Sequence, residues 1–171
     1  KINLPDTPGS FDFVGEVEEA VSAADAAIIV VNCKAGIEVG TEKAWDLCEE
    51  YKLPRIIFVT NMDDDHASFR ELILKLEKKF GRKIAPFQVP IRENEKFVGF
   101  VNAVKMQGRR FTNLSDYEDC EIPEYTKKNL GIIRDALIEA VAETSEEYME
   151  RYFSGEEFTQ DEIYTAVQTH V

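Results

Sequence analysis

Two stretches decide the fold: Ala26–Asn32, "AAIIVVN", and Arg55–Thr60, "RIIFVT". Each is a short, β-branched apolar run without polar alternation, the pattern of a strand buried on both faces of a parallel sheet. Between them, "KAGIEVGT" is a glycine-punctuated loop. "EKAWDLCEEYK" then turns Trp45, Leu47, Cys48 and Tyr51 toward a core before Leu53-Pro54 stops the helix. Upstream, "GEVEEAVSAAD" places Val17, Ala20, Val21 and Ala24 on one helical face, and the short apolar run "INL" reads as a further strand. Downstream, "DDDHASFRELILKLEKKFGRK" predicts a helix starting near His66. Phe69, Leu72, Ile73, Leu76 and Phe80 form its stripe and Gly81 its stop. Strand and helix in alternation with short connections imply a parallel α/β sheet, whose ligands bind at the carboxyl ends of the strands.

From about residue 84 the character changes. "IAPFQVPI", "KFVGFVNAVKM" and "GRRFTN" are strand-like runs with no helix between them, which predicts antiparallel hairpins. A long helical pattern follows from Pro123, through Leu130, Ile133, Leu137 and Val141 to Tyr148, Met149, Tyr152 and Phe153, and ends at Ser154-Gly155. Thr159 and Glu162 form a T-x-x-E capping box that opens a last short helix. The expected organisation is thus residues 1–83 in the α/β domain, 84–158 as an inserted unit, and 159–171 as a helix returning to the first domain.

Composition narrows the function. With 20 Lys+Arg against 33 Asp+Glu, a net charge of −13 disfavours direct binding to nucleic acid or to an anionic membrane. Cys33, Cys48 and Cys120 show no C-x-x-C spacing, so the reading is a reduced, cytoplasmic protein without a zinc site. No apolar stretch is long enough to span a bilayer. His66 and His170 each lack a second ligand at i+4 and do not point to a metal. A chain that opens at Lys1 rather than Met is expected to be a piece of something longer.

Candidate chemistry gathers at strand ends. "DTPGS", Asp6–Ser10, is either an ordinary Pro-Gly turn or a metal- and phosphate-facing bend in which Asp6 holds a hydrated ion and Gly9 presents its N–H. "TNMDDD", Thr60–Asp65, offers carboxylates for a helix cap or for the edge of a base. The run lacks the D-x-D-x-D-G alternation of a calcium loop.

These motifs in order, "INLPDTPGSFDFVGEVEEAV", "AAIIVVNCKAGIEVGTEKAW" and "KLPRIIFVTNMD", resemble the middle of the GTPase domain of bacterial elongation factor G, the ribosomal translocase. The similarity continues through "FVGFVNAVKMQGRRF", "EIPEY" and "YMERYFSGEEFTQDEI", over essentially the whole chain. The resemblance implies a partial P-loop-GTPase sheet carrying an inserted α+β subdomain of antiparallel strands and a long helix. It implies GTP or GDP as ligand, contacted by Asp6, Thr7, Gly9, Thr60, Asn61 and Asp63, with Asp6 holding magnesium through a water in the intact parent. Asp63 would accept from the N1–H and the exocyclic amine of guanine, since a carboxylate has two acceptors side by side. It also implies a ribosomal role, with the inserted subdomain contacting the stalk protein.

The chain departs from the family at three positions. Ser10 stands where the family has a water-orienting catalytic histidine, and Thr60-Asn61 stand where it has the Asn-Lys of N-K-M-D. These changes imply a divergent paralogue with weakened guanine affinity. No G-x-x-x-x-G-K-[ST] occurs in the 171 residues, so the phosphate cradle is missing and the isolated chain is expected to be inactive and to bind no nucleotide. The acidic stretch with Glu139, Glu143, Glu146, Glu147 and Glu150 is a solvated face or, given the resemblance, a partner surface.

Overall fold

The computed structural model describes residues 1–9, 11–81, 84–94, 96–113 and 116–170 of the chain, the side chains of Phe11 and 168–170 excepted. The chain divides into two compact units, Lys1–Ser68 and Phe69–Val171.

In the first unit, a short 3-10 turn (Phe11–Phe13) leads into α1 (Val14–Ala23), followed by β1 (Ala27–Asn32), α2 (Val39–Glu50) and β2 (Arg55–Thr60). β1 and β2 pair in parallel, from Ala27 opposite Arg55 to Asn32 opposite Thr60. One face of the pair carries the buried Ile29 and Val31, and α2 packs against β1 with Trp45 and Cys48 buried. Tyr51, expected in this core, is exposed because the helix has already ended at Glu50.

The other face differs from its sequence reading. Ile28, Val30 and Ile56 are 60% exposed and Phe58 58%, and the register sets Ile28 beside Ile56 and Val30 beside Phe58. A run expected to be buried on both sides is therefore buried on one. Among the described residues of this unit a single helical layer exists to cover it, whereas the apolar β-branched pattern is the one parallel sheets carry under a layer on each face. The "INL" run forms no strand either. Ile2 is 87% and Leu4 80% exposed, since a strand needs a neighbouring ladder to satisfy its backbone.

The second unit opens with α3 (Phe69–Phe80), whose Leu72 and Leu76 are buried and whose Gly81 has the positive φ, 78°, of a helix stop. The helix starts at Phe69 rather than His66, because Asp64 is used in a turn. Four strands follow in an antiparallel meander: β3 (Gln88–Glu93), β4 (Lys96–Asn102), β5 (Gln107–Phe111) and β6 (Tyr117–Cys120). A built Cβ at Gly99 would lie 2.1 Å from the Arg109 carbonyl oxygen, so β4 and β5 approach as they do only through glycine there.

α4 (Glu124–Ala142) lays Leu130, Leu137 and Val141 on Val89, Ile91 and Val101 of the sheet, and the core extends to Phe158, Ile163 and Ala166. The Arg134 guanidinium donates to the carbonyls of Ala103 (2.6 Å) and Val104 (3.2 Å), tying the helix to the β4–β5 turn.

The single long helix expected from Pro123 is two. Ser145 has extended backbone and its hydroxyl accepts the Tyr148 N–H, capping a new helix, α5 (Glu146–Ser154). Gly155, at φ 79°, ends it. α6 (Gln160–His170) opens with the predicted capping box: the Thr159 N–H donates to the Glu162 carboxylate at 2.8 Å, and the Glu162 N–H donates to the Thr159 hydroxyl at 3.3 Å.

Candidate functional site at the carboxyl ends of the parallel strands

Parallel pairing brings the last residues of β1 and β2, Asn32 and Thr60, side by side. The ladder extends one bond further, from the Cys33 N–H to the Thr60 carbonyl at 2.9 Å, so the two following loops leave from one edge. Thr60 is half-buried, and its hydroxyl lies 3.5 Å from the Val31 carbonyl. Asn61 then adopts the left-handed conformation, φ 54°, which Asn tolerates better than most side chains. That reversal ends the strand and opens a turn through Met62 and Asp63, closed by the Asp64 N–H to the Asn61 carbonyl at 3.3 Å.

Two side-chain bridges join the loops. The Asn32 amide donates to the Asn61 carbonyl oxygen at 3.0 Å, while the Asn32 Oδ1 accepts the N–H groups of Lys34 (2.9 Å) and Ala35 (3.0 Å). Lys34 Nζ reaches Asp64 Oδ2 at 3.2 Å, and Asp64 Oδ1 accepts the His66 N–H at 2.9 Å. The His66 N–H first, and the Lys34 ammonium second, hold the Asp64 carboxyl below the usual aspartate range. Asp63 lies between the two bridging residues, exposed, and among the described residues it makes no hydrogen bond or ion pair. Of three consecutive aspartates, Asp64 is committed to structure.

The sequence-predicted residues therefore fall into two groups. Thr60, Asn61 and Asp63 are gathered on one edge. Asp6 and Gly9 are exposed and Thr7 half-buried on an irregular segment, and no hydrogen bond joins any of the three to that edge among the described residues. A Cβ at Gly9 would meet nothing within 4 Å, so nothing in this chain crowds the position. Ser10, the candidate catalytic position, lies outside the described residues. Asn32 and Lys34 escape a motif-based reading. The signal for Asn32 is a lone polar residue closing an apolar run, at the register position of Thr60.

Magnesium requires six oxygens in near-octahedral array. Among the described residues no three His, Cys, Asp or Glu side chains converge to hold an ion, and Asp6 is a lone exposed carboxylate. A resident metal does not fit these residues by themselves. The guanine edge is matched better, because the exposed Asp63 carboxylate offers two adjacent acceptors to two adjacent donors. No helix among the described residues is long and apolar enough to cross a membrane.

Residues 1–165 match the family model of the elongation factor Tu GTP binding domain. The chain is 37% identical over 163 residues to an elongation factor G-like protein of Thermotoga maritima, a match covering 95% of this chain and 23% of that protein. It is also similar to a protein of Thermus thermophilus known from its crystal structure, with TM-score 0.85 and 35% identity over 94% of this chain and 24% of the other. The chain thus spans about a quarter of the length of these relatives. The match of the family model over residues 1–165 shows that the chain belongs to the elongation factor Tu GTP binding domain family, and over nearly all of its length it is similar to a segment of an elongation factor G-like protein.

Proposed function

We propose that these 171 residues are the central part of a longer translational GTPase that couples GTP hydrolysis to ribosomal translocation in the cytoplasm. The observation that carries the reading is Asp63, exposed and uncommitted on an edge whose neighbouring side chains are bridged. In the longer protein Asp63 takes the N1–H and exocyclic amine of guanine, with Thr60 and Asn61 flanking the base. Gly9 presents its N–H to the γ-phosphate, Thr7 lies beside it, and Asp6, together with ligands from outside these residues, would orient a water of the nucleotide's magnesium ion. Ser10 stands where the attacking water is aligned, and its short hydroxyl makes hydrolysis slow. The proposed domain limits are those of the sequence reading, 1–83 in the GTP-binding domain, 84–158 inserted and 159–171 returning, whereas the compact units of this chain divide between Ser68 and Phe69 and α6 packs Ile163 and Ala166 into the core of the second. The bare face of the β1–β2 pair supports the larger size, since parallel sheets are stable when covered on both sides.

The test is GTP hydrolysis by the longer protein with and without ribosomes. Ribosome-stimulated turnover supports the reading, and GTP binding without any stimulated turnover contradicts it.

A second reading has its own observation. Glu139, Glu143, Glu146, Glu147 and Glu150 are all exposed along α4 and α5. Glu77, Glu139 and Glu143 line one groove together with Gly81, Ile84, Ala136 and Ala140. A groove lined by three glutamates and small apolar residues suits a lysine-bearing partner bound quickly, weakly and with salt sensitivity. On this reading the inserted unit docks the ribosomal stalk protein even if the nucleotide site has decayed. An NMR titration with that protein should give fast-exchange shifts on residues 139–150 that fade as salt rises; shifts confined to residues 1–65, or none at low salt, exclude the docking.

A further inference from the structure

Recognition of a base by a single exposed carboxylate needs that carboxylate held in place, because a freely rotating loop loses its conformational entropy at the moment of binding. The backbone holds Asp63 in part: Asp63 lies in a turn that starts at the left-handed Asn61 and is closed by one bond, from the Asp64 N–H to the Asn61 carbonyl at 3.3 Å, and no helix supports it before Phe69. What crosses to it from elsewhere is side chain. Asn32 uses its Oδ1 for the N–H groups of Lys34 and Ala35, which shapes the loop after β1, and its amide hydrogen for Asn61, which reaches the loop after β2. The Gly36 N–H, in a residue at φ 76°, adds a bond to the Asn32 carbonyl at 2.8 Å and closes the same turn. Lys34, aimed by that turn, then bridges to Asp64. The two bridges grip the residues at 61 and 64, two positions before Asp63 and one after it.

We propose that Asn32 and Lys34 are positioning residues for guanine selectivity: by stapling the loop after β1 to the loop after β2, they fix Asp63 for its two hydrogen bonds to the base. This rests on the reading of Asp63 given above and deepens it. It also accounts for Asn61, the residue in the place of the family's lysine. With no long stem to lay over the base, it contributes through its carbonyl oxygen as an anchor for Asn32.

The test uses the longer protein and two nucleotides, GDP and inosine diphosphate, which lacks the 2-amino group. Their affinity ratio reads the second Asp63 hydrogen bond and is insensitive to general loss of binding. Asn32→Asp, made with Asn61→Gly so that no amide at 61 can turn and donate to the new carboxylate, keeps the acceptor for the Lys34 and Ala35 N–H groups and the left-handed turn at 61 while removing the bridge. The ratio should fall by roughly 3- to 10-fold, the size of one hydrogen bond, with inosine diphosphate, which keeps the N1–H but not the 2-amino group, losing less affinity than GDP. Lys34→Met, at an exposed position where folding is not at stake, should lower the ratio in the same direction, and Lys34→Arg should restore part of it. Equal losses for both nucleotides, or an unchanged ratio in both the Asn32→Asp, Asn61→Gly double variant and Lys34→Met, overturn the proposal. Asp63→Asn separates the two levels. If it changes base choice while the Asn32 and Lys34 variants do not, the positioning idea fails alone; if it too leaves base choice unchanged, the reading of Asp63 fails with it.

Discussion

At the scale of single residues, the aspartates at 63 to 65 show how neighbours of one type are given different tasks. Asp64 is drawn into a turn by the His66 N–H and into an ion pair by Lys34, and Asp63 is left exposed. Because both partners favour the charged form, the folded-state pKa of Asp64 is depressed. Its contribution to stability is present above the ordinary aspartate pKa and is lost as pH falls below it. A carboxyl-detected NMR titration should place the Asp64 midpoint below the ordinary value. Lys34→Met should move it only part of the way back, because the His66 N–H is the larger cause; a full return would contradict the ranking. The motif "TNMD" makes Thr60, Asn61 and Asp63 legible in the sequence. The bridges are not legible there, since Asn32 and Asn61 lie 29 positions apart and meet only through the parallel register. The segment Asp6–Gly9 is equally legible as a motif, but the strand that would seat it has no ladder to join.

At the scale of elements, periodicity places β1, β2, α2 and α3 nearly where they stand, because each is a local pattern read against a single core. It fails where a local hydrogen bond competes with periodicity. Val141 and Tyr148, seven positions apart, keep the helical phase across Thr144 and Ser145, yet the Ser145 hydroxyl caps α5 and divides the helix. β6, "YEDC", shows no apolar run because it is an edge strand with one neighbour, and its charges guard that edge.

The α5–α6 junction carries a pH prediction of its own. Arg151 donates to Glu162 at 2.6 Å and stacks over Phe158, 5.2 Å from the ring centre. The Arg151 guanidinium first, then the Thr159 N–H and hydroxyl, depress the Glu162 pKa from 4.5 to about 2. The folded-state value is the lower one, so the stabilisation is complete above about pH 4.5 and disappears as pH falls toward about 2. Glu162→Gln should lower the urea midpoint at pH 7, and the difference from the parent should close near pH 2. A gap that persists unchanged at that acid limit would show that the carboxylate charge is not its source.

At the scale of the whole molecule, these residues carry the proposed base-reading edge of a nucleotide site, and among the described residues one apolar face of the β1–β2 pair stays exposed. Most contacts to the β- and γ-phosphates come from a G-x-x-x-x-G-K-[ST] loop, absent from these residues. Calorimetry on the isolated 171-residue chain should therefore detect no GDP binding tighter than roughly millimolar, about −4 kcal/mol; micromolar affinity would mean that these residues hold the phosphates in another way. The central claim, that the carboxyl edge of β1 and β2 reads guanine, is tested most directly in the longer protein by Asp63→Asn. Replacing one carboxylate oxygen by an amide exchanges an acceptor for a donor, which mispairs with guanine and suits xanthine. The expected result is a shift of preference from GDP to xanthosine diphosphate worth on the order of 1–3 kcal/mol per mispaired contact. An undiminished preference for GDP over xanthosine diphosphate in that variant would contradict it.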